Sequence, residues 1–206
     1  MNKIINLLSI NVISTNLLEY GINNNLLIEE ISNFDGTINV NNNYDHHNSY
    51  SIQEDRLFPH GKPECDKFVS SLTQKVNNEL NTEMVMSEIW TITLEYGQSV
   101  AAHSHKSMEH TNPLDYYSIV YFPSAPEHSA NLTFIVSACN TIDKNVTITP
   151  TEGTLLIFNS YIMHMTNRHL NKQQNRISIS ANFHPKTKSL ITTQDWSIYR
   201  PTSIEL

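Results

Sequence analysis

His103 and His105 are separated by one residue just beyond a β-patterned run that ends at Gly97, and His164 follows the apolar run 154–158 and the turn Asn159-Ser160. If the chain is extended at 103–105, its period of two sets both imidazoles on one face, close enough to share an ion. With His164, the arrangement can supply three facial nitrogens to a first-row transition metal and leave other coordination positions open. Twelve residues further on, the segment 176–183 alternates strictly, with Arg176, Ser178, Ser180 and Asn182 on one face and Ile177, Ile179, Ala181 and Phe183 on the other. A guanidinium is a planar fork of donors that matches a carboxylate, and a hydroxyl two residues along can add a third bond. Taken singly these residues have plainer readings, as solvated loop histidines and a solvent-facing amphipathic strand. Together they describe an open metal site beside a carboxylate anchor.

Positioning such groups requires strands, and the pattern supplies them after residue 84. Trp90, Ile92, Leu94 and Tyr96 alternate with Ile89, Thr91, Thr93 and Glu95, and Tyr117, Ile119 and Tyr121 alternate with Ser118, Val120 and Phe122. Further strands are expected at 131–136, 146–149, 154–159 and 176–183. Before residue 84 the pattern is mixed: a strand near the start, a short helix over 24–33, and a helix over 63–80 whose Phe68, Leu72, Val76 and Leu80 recur every four residues. Glu64 and Asp66 favour the dipole at the start of that helix, which should lie outside a sheet. Residues 35–59 read as a long loop with room for one short strand. Many short strands after one or two helices predict a mainly β fold, a double-stranded β-helix or other jelly-roll sandwich braced by N-terminal helices. The expected organisation is a single domain over 1–206, with an N-terminal strand and supporting helices in 1–83, the double-stranded β-helix core in 84–184 and a C-terminal extension in 185–206.

Composition bounds the partners. The 206 residues carry a formal charge of −7, which lacks the basic field that a phosphate backbone requires, so nucleic acid is not an expected partner. Asn makes up about an eighth of the chain, in runs such as 23–25 and 41–43 that favour loops. Cys65 and Cys139 are the two cysteines; they exclude a disulfide framework and read as thiols of a reducing compartment. The first 15 residues are interrupted by Asn6 and Asn11 and are too short for a bilayer span, so a cytoplasmic protein without membrane attachment is expected.

The order His103-x-His105, the run 116–123, Glu152-Gly153-Thr154-Leu155-Leu156-Ile157-Phe158-Asn159-Ser160 with His164, and then Arg176-x-Ser178 with Asn182-Phe183 resembles the iron(II)- and 2-oxoglutarate-dependent oxygenases, in particular their small phage and bacterial branch. The resemblance covers roughly residues 85–184. It implies a double-stranded β-helix in which His103 and His164 are iron ligands and Arg176, helped by Ser178, anchors the distal carboxylate of 2-oxoglutarate. It also points to Tyr121 as a group that can reach the distal carboxylate and to Tyr96 as one that can approach the proximal end; both could equally be core aromatics. Trp90 could wall the pocket.

The chain departs from the family at one ligand. Most members carry Asp or Glu two residues after the first His, and here the residue is His105, which makes a three-His site. A neutral ligand leaves Fe(II) one unit more positive and so tightens its hold on an anionic 2-oxoacid. Glu109, His110 or Asp115 is the rival source of the third ligand. His46, His47, His60, His128, His169 and His184 are expected to be loop or surface residues. The reading is therefore an oxygenase using Fe(II), 2-oxoglutarate and O2, which couples decarboxylation of 2-oxoglutarate to succinate with hydroxylation of a small molecule or an amino-acid or protein side chain. Two alternatives stand beside it: a cupin-like metalloenzyme that does not use 2-oxoglutarate, and a non-catalytic jelly-roll binding protein.

Overall fold

A computed structural model describes residues 11–34, 50–51, 58–105, 115–138 and 142–186. The elements are β1 (Val12–Asn16), α1 (Asn24–Ser32), β2 (Tyr50–Ser51), α2 (Pro63–Leu80), β3 (Met84–Leu94), β4 (Tyr117–Ser124), β5 (Leu132–Ala138), β6 (Ile142–Ile148), β7 (Thr154–Asn159), β8 (Met163–Thr166) and β9 (Arg176–Pro185). They form a mainly β structure of two antiparallel sheets. A six-stranded sheet has the order β1-β7-β4-β9-β3-β2, and a three-stranded sheet has the order β6-β5-β8.

The two helices form where the sequence supplies their ends. The Asn23 side chain accepts from the backbone N–H groups of Asn25 and Leu26 and so caps α1. Helix α2 starts with Pro63 at its first turn but has no side-chain cap of its own. The carboxylate of Glu30, on α1, accepts instead from the backbone N–H groups of Glu64 at 3.0 Å and Cys65 at 2.8 Å. Two of the unpaired donors at the start of α2 are thereby satisfied by its neighbour, and the negative charge complements the helix dipole. Asn81, at φ 48°, ends α2 in the left-handed region.

Both faces of the larger sheet are covered. Ile119, Tyr121, Ile157, Ile179, Ala181 and Phe183 pack beneath Leu27 of α1 and Phe68, Leu72 and Val76 of α2. Val120, Phe122, Leu156 and Phe158 point the opposite way, onto Leu132 and Phe134 of the smaller sheet. Strand β9 is central, paired with β3 on one side and β4 on the other. Its alternation therefore separates an apolar side facing the helices from a polar side facing the second sheet. Strand β8, four residues long and paired with β5, is absent from the sequence reading.

Phe68 is fully buried, with its ring centroid 5.9 Å from Phe58 and 5.1 Å from Tyr121. Phe68→Ala should therefore lower the unfolding free energy by about 3–5 kcal/mol, read as a shift of the urea midpoint. An unchanged midpoint would contradict the packing of α2 on the sheet.

Candidate functional site

The three histidines meet. Residue 103 forms an antiparallel bridge to β8, with His103 N–H donating to His164 O at 3.0 Å and His164 N–H donating to His103 O at 2.9 Å. His105 N–H donates to Ser160 O at 2.9 Å, which fixes the extended run 103–105 against the chain entering β8. The ring centroids lie 4.3 Å (His103–His164), 5.0 Å (His105–His164) and 5.2 Å (His103–His105) apart. One ring nitrogen from each lies within 4.8 Å of the others.

Each ring is oriented by a bond at Nδ1. His103 Nδ1 is 2.8 Å from Ala101 O, His164 Nδ1 is 2.9 Å from Ile162 O, and His105 Nδ1 is 2.8 Å from Asn182 Oδ1. Carbonyl oxygens only accept, so His103 and His164 carry their proton on Nδ1 and leave the Nε2 lone pair free. Burial drives the His105 pKa down to about 4 and that of His164 to about 3, with the neighbouring His103 adding to both. Neutral imidazoles with free Nε2 lone pairs are what a divalent transition metal requires. The donor set therefore fits such an ion.

The cavity beside the histidines is lined by Trp90, Ile92, Val100, Leu132, Arg176 and Ser178, among others. Arg176, Ser178 and Ser180 are all buried, as the alternation of β9 predicts. Arg176 is 2% exposed and lies opposite Leu94 of β3. Its guanidinium carbon sits 4.9 Å from the ring centroid of Phe122, its Nε has no hydrogen-bond partner, and no carboxylate among the described residues pairs with it. Burial pulls its pKa down to about 10, which leaves the group charged at neutral pH.

Trp90 walls this cavity, 5.1 Å from the His105 ring. Tyr121 and Tyr96 do not line it. Tyr121 is in phase with Ile119 and pairs in register with Ile179, so it points to the helix side, where its hydroxyl donates to Asn24 Oδ1 at 2.7 Å. Tyr96 lies beyond the end of β3, is 54% exposed, and has Lys172 Nζ 5.1 Å from its ring centroid. Neither tyrosine is placed to reach a molecule in the cavity. His169 also differs from expectation: it is buried, with Nε2 2.8 Å from Gln174 O. Among the described residues the metal-compatible cluster consists of His103, His105 and His164. Asp115 is not part of it, and Glu109, His110, His46 and His47 lie outside the described residues.

No family model matches the sequence. No curated protein matches it either. Solved structures do. The non-heme alpha ketoglutarate dependent epimerase SnoN from nogalamycin biosynthesis superposes with a TM-score of 0.59 at 10% identity, over 84% of this chain and 77% of that one. The viral collagen prolyl hydroxylase vCPH from Paramecium Bursaria Chlorella virus-1, as its 2OG complex, gives 0.55 at 14% identity, over 84% and 96%. HygX from Streptomyces hygroscopicus, with nickel and 2-oxoglutarate bound, gives 0.54 at 10% identity, over 85% and 83%. The chain thus has the fold of the iron(II)- and 2-oxoglutarate-dependent oxygenases. Among the described residues no helix is long and apolar enough to cross a membrane.

The depressed histidine pKa values carry a consequence for stability. Both folded values lie below the ordinary 6.5, so between them and 6.5 the unfolded chain binds more protons than the folded one. The stability of the metal-free protein should be complete above pH 6.5 and should fall as the pH drops toward 4 and then 3. A His105→Gln/His164→Gln double variant should lose stability less steeply over that interval, measured as urea midpoint against pH. Equal slopes in the two proteins would contradict the burial of neutral rings.

Proposed function

We propose that this protein is a non-haem Fe(II)- and 2-oxoglutarate-dependent dioxygenase, built on a double-stranded β-helix, that hydroxylates a small molecule or an amino-acid or protein side chain. The observation that carries the reading is the buried charge of Arg176, which no carboxylate among the described residues pairs. A buried guanidinium with no anionic partner is costly to the fold, because desolvation is not offset by a counter-charge. Its position is rational if the counter-charge is a ligand carboxylate that enters the cavity. The fold shared with 2-oxoglutarate-dependent structures and the adjacent histidine cluster support 2-oxoglutarate as that ligand.

In this reading His103, His105 and His164 hold the ion through Nε2. Fe(II), together with 2-oxoglutarate and O2, supplies the oxidising chemistry, in which decarboxylation to succinate is coupled to hydroxylation of a C–H bond. Arg176 binds the distal carboxylate as a charged fork and the Ser178 hydroxyl adds a donor. Trp90, Ile92, Val100 and Leu132 present apolar surface around that pair. Water is thereby limited where the ion pair forms, which strengthens it. Selection of the substrate is assigned to the segments 35–59 and 106–115, most of which lie outside the described residues. A cupin-like metalloenzyme that binds its substrate directly would have no use for an arginine without a partner at this position.

Arg176→Ala should raise the half-saturating 2-oxoglutarate concentration at least roughly tenfold, about 1.4 kcal/mol or more. Arg176→Lys keeps the charge but loses the fork and should fall between Ala and wild type. Iron affinity should be unchanged in both, and a shorter 2-oxoacid without the distal carboxylate should respond little to either. Undiminished 2-oxoglutarate affinity in folded Arg176→Ala would contradict the assignment and favour the cupin-like reading.

A further inference from the structure

The third histidine is oriented differently from the other two. His103 and His164 bond to backbone carbonyls, whose role as acceptors is fixed. His105 bonds to a side-chain amide, which could present either an oxygen or an NH2 group. What decides between them is one strand further out. Asn182 Nδ2 donates to Glu88 Oε2 at 2.7 Å, and a carboxylate can only accept. The amide is thereby locked with Oδ1 toward His105.

The sheet builds this row in register. Glu88 on β3, Asn182 on β9 and Ser118 on β4 are direct cross-strand partners. A bulge between Met86 and Glu88 precedes the pair, and bulges re-aim side chains at such places. Ser118 Oγ lies 2.7 Å from Asn182 Oδ1, 2.9 Å from His105 Nδ1 and 2.9 Å from Ser160 Oγ. A hydroxyl can donate or accept, so Ser118 fits either state of the ring and cannot choose one. Glu88 is exposed, whereas Ser118 and Ser160 are buried.

We propose that Glu88 and Asn182 are positioning residues that hold His105 in its Nδ1–H tautomer, so that the Nε2 lone pair is free for the metal. This rests on the three-His metal site proposed above. It gives the vertex where the family usually has a carboxylate a carboxylate at one remove, joined to the imidazole through an amide. Outer partners of this kind set the tautomer and raise the basicity of a ligating histidine.

The relay can be inverted. In Glu88→Lys the ammonium can only donate, so the Asn182 amide should turn, offer its NH2 to His105 Nδ1 and drive the ring to the Nε2–H tautomer. Asn182→Leu removes the fixed acceptor and should leave His105 a mixture. Two-bond nitrogen–proton correlation spectra of metal-free protein labelled with 15N-histidine read these states directly, with His103 and His164 as internal controls that stay Nδ1–H. Ni(II) affinity, titrated separately, should fall at least roughly tenfold in both variants. His105 remaining Nδ1–H in both would overturn the proposal, as would a loss of affinity without a change of tautomer. Failure of the wild-type protein to bind Ni(II) would instead sink the metal-site reading, and the tautomer spectra would still decide the relay.

Discussion

Strand β9 lies at the centre of the larger sheet with both faces covered, so every second residue must suit a different environment. Ile179, Ala181 and Phe183 meet the helices, and Arg176, Ser178 and Ser180 meet the space between the sheets. A one-residue slip would exchange the two sets and turn polar side chains of β9 toward Phe68, Leu72 and Val76. The register of β9 is thus fixed by the helix-side core, and that same register holds in the cavity a cation that no carboxylate among the described residues pairs. A chain selected for stability alone would have an apolar side chain at 176.

The histidine cluster depends on the second sheet. His164 is carried by β8, and the bridge between residues 103 and 164 brings the run 103–105 to it. Phe158 and Phe134 stand against the His164 ring at 5.0 Å and 6.2 Å. This apolar wall accounts for the low proton affinity of His164. The bonds at Nδ1 leave the Nε2 lone pairs of His103 and His164 free, and a neutral ring offers a metal no competing proton. The His105 ring is backed by Asn182 and, beyond it, by the carboxylate of Glu88.

Much of this could be read from residue order, and the failures have physical causes. The β9 alternation was readable because one side of the strand meets an apolar core and the other a polar cavity, and α2 because its apolar spacing faces one sheet. Tyr121 was open to two readings because a tyrosine suits either a polar pocket or a core with one acceptor, here Asn24. Which face it takes depends on its register with Ile179, and pairing is not written in local sequence. Strand β8 is too short to show a period. His169 is buried because its backbone pairs with Gln98 and its ring with Gln174, contacts made by turns. Glu88 shares parity with Trp90, so its side of β3 was readable, but its partner Asn182 lies 94 residues away.

The central claim, that the histidine cluster and Arg176 together hold an iron chelate of 2-oxoglutarate, is tested most directly by optical absorption. Fe(II) and 2-oxoglutarate are added anaerobically to the purified protein, and the visible spectrum is compared with that of protein and Fe(II) alone. The account predicts a weak metal-to-ligand charge-transfer band that needs both additions and is absent when His164 is replaced by alanine. A spectrum unchanged by 2-oxoglutarate in protein shown to have bound iron would contradict it.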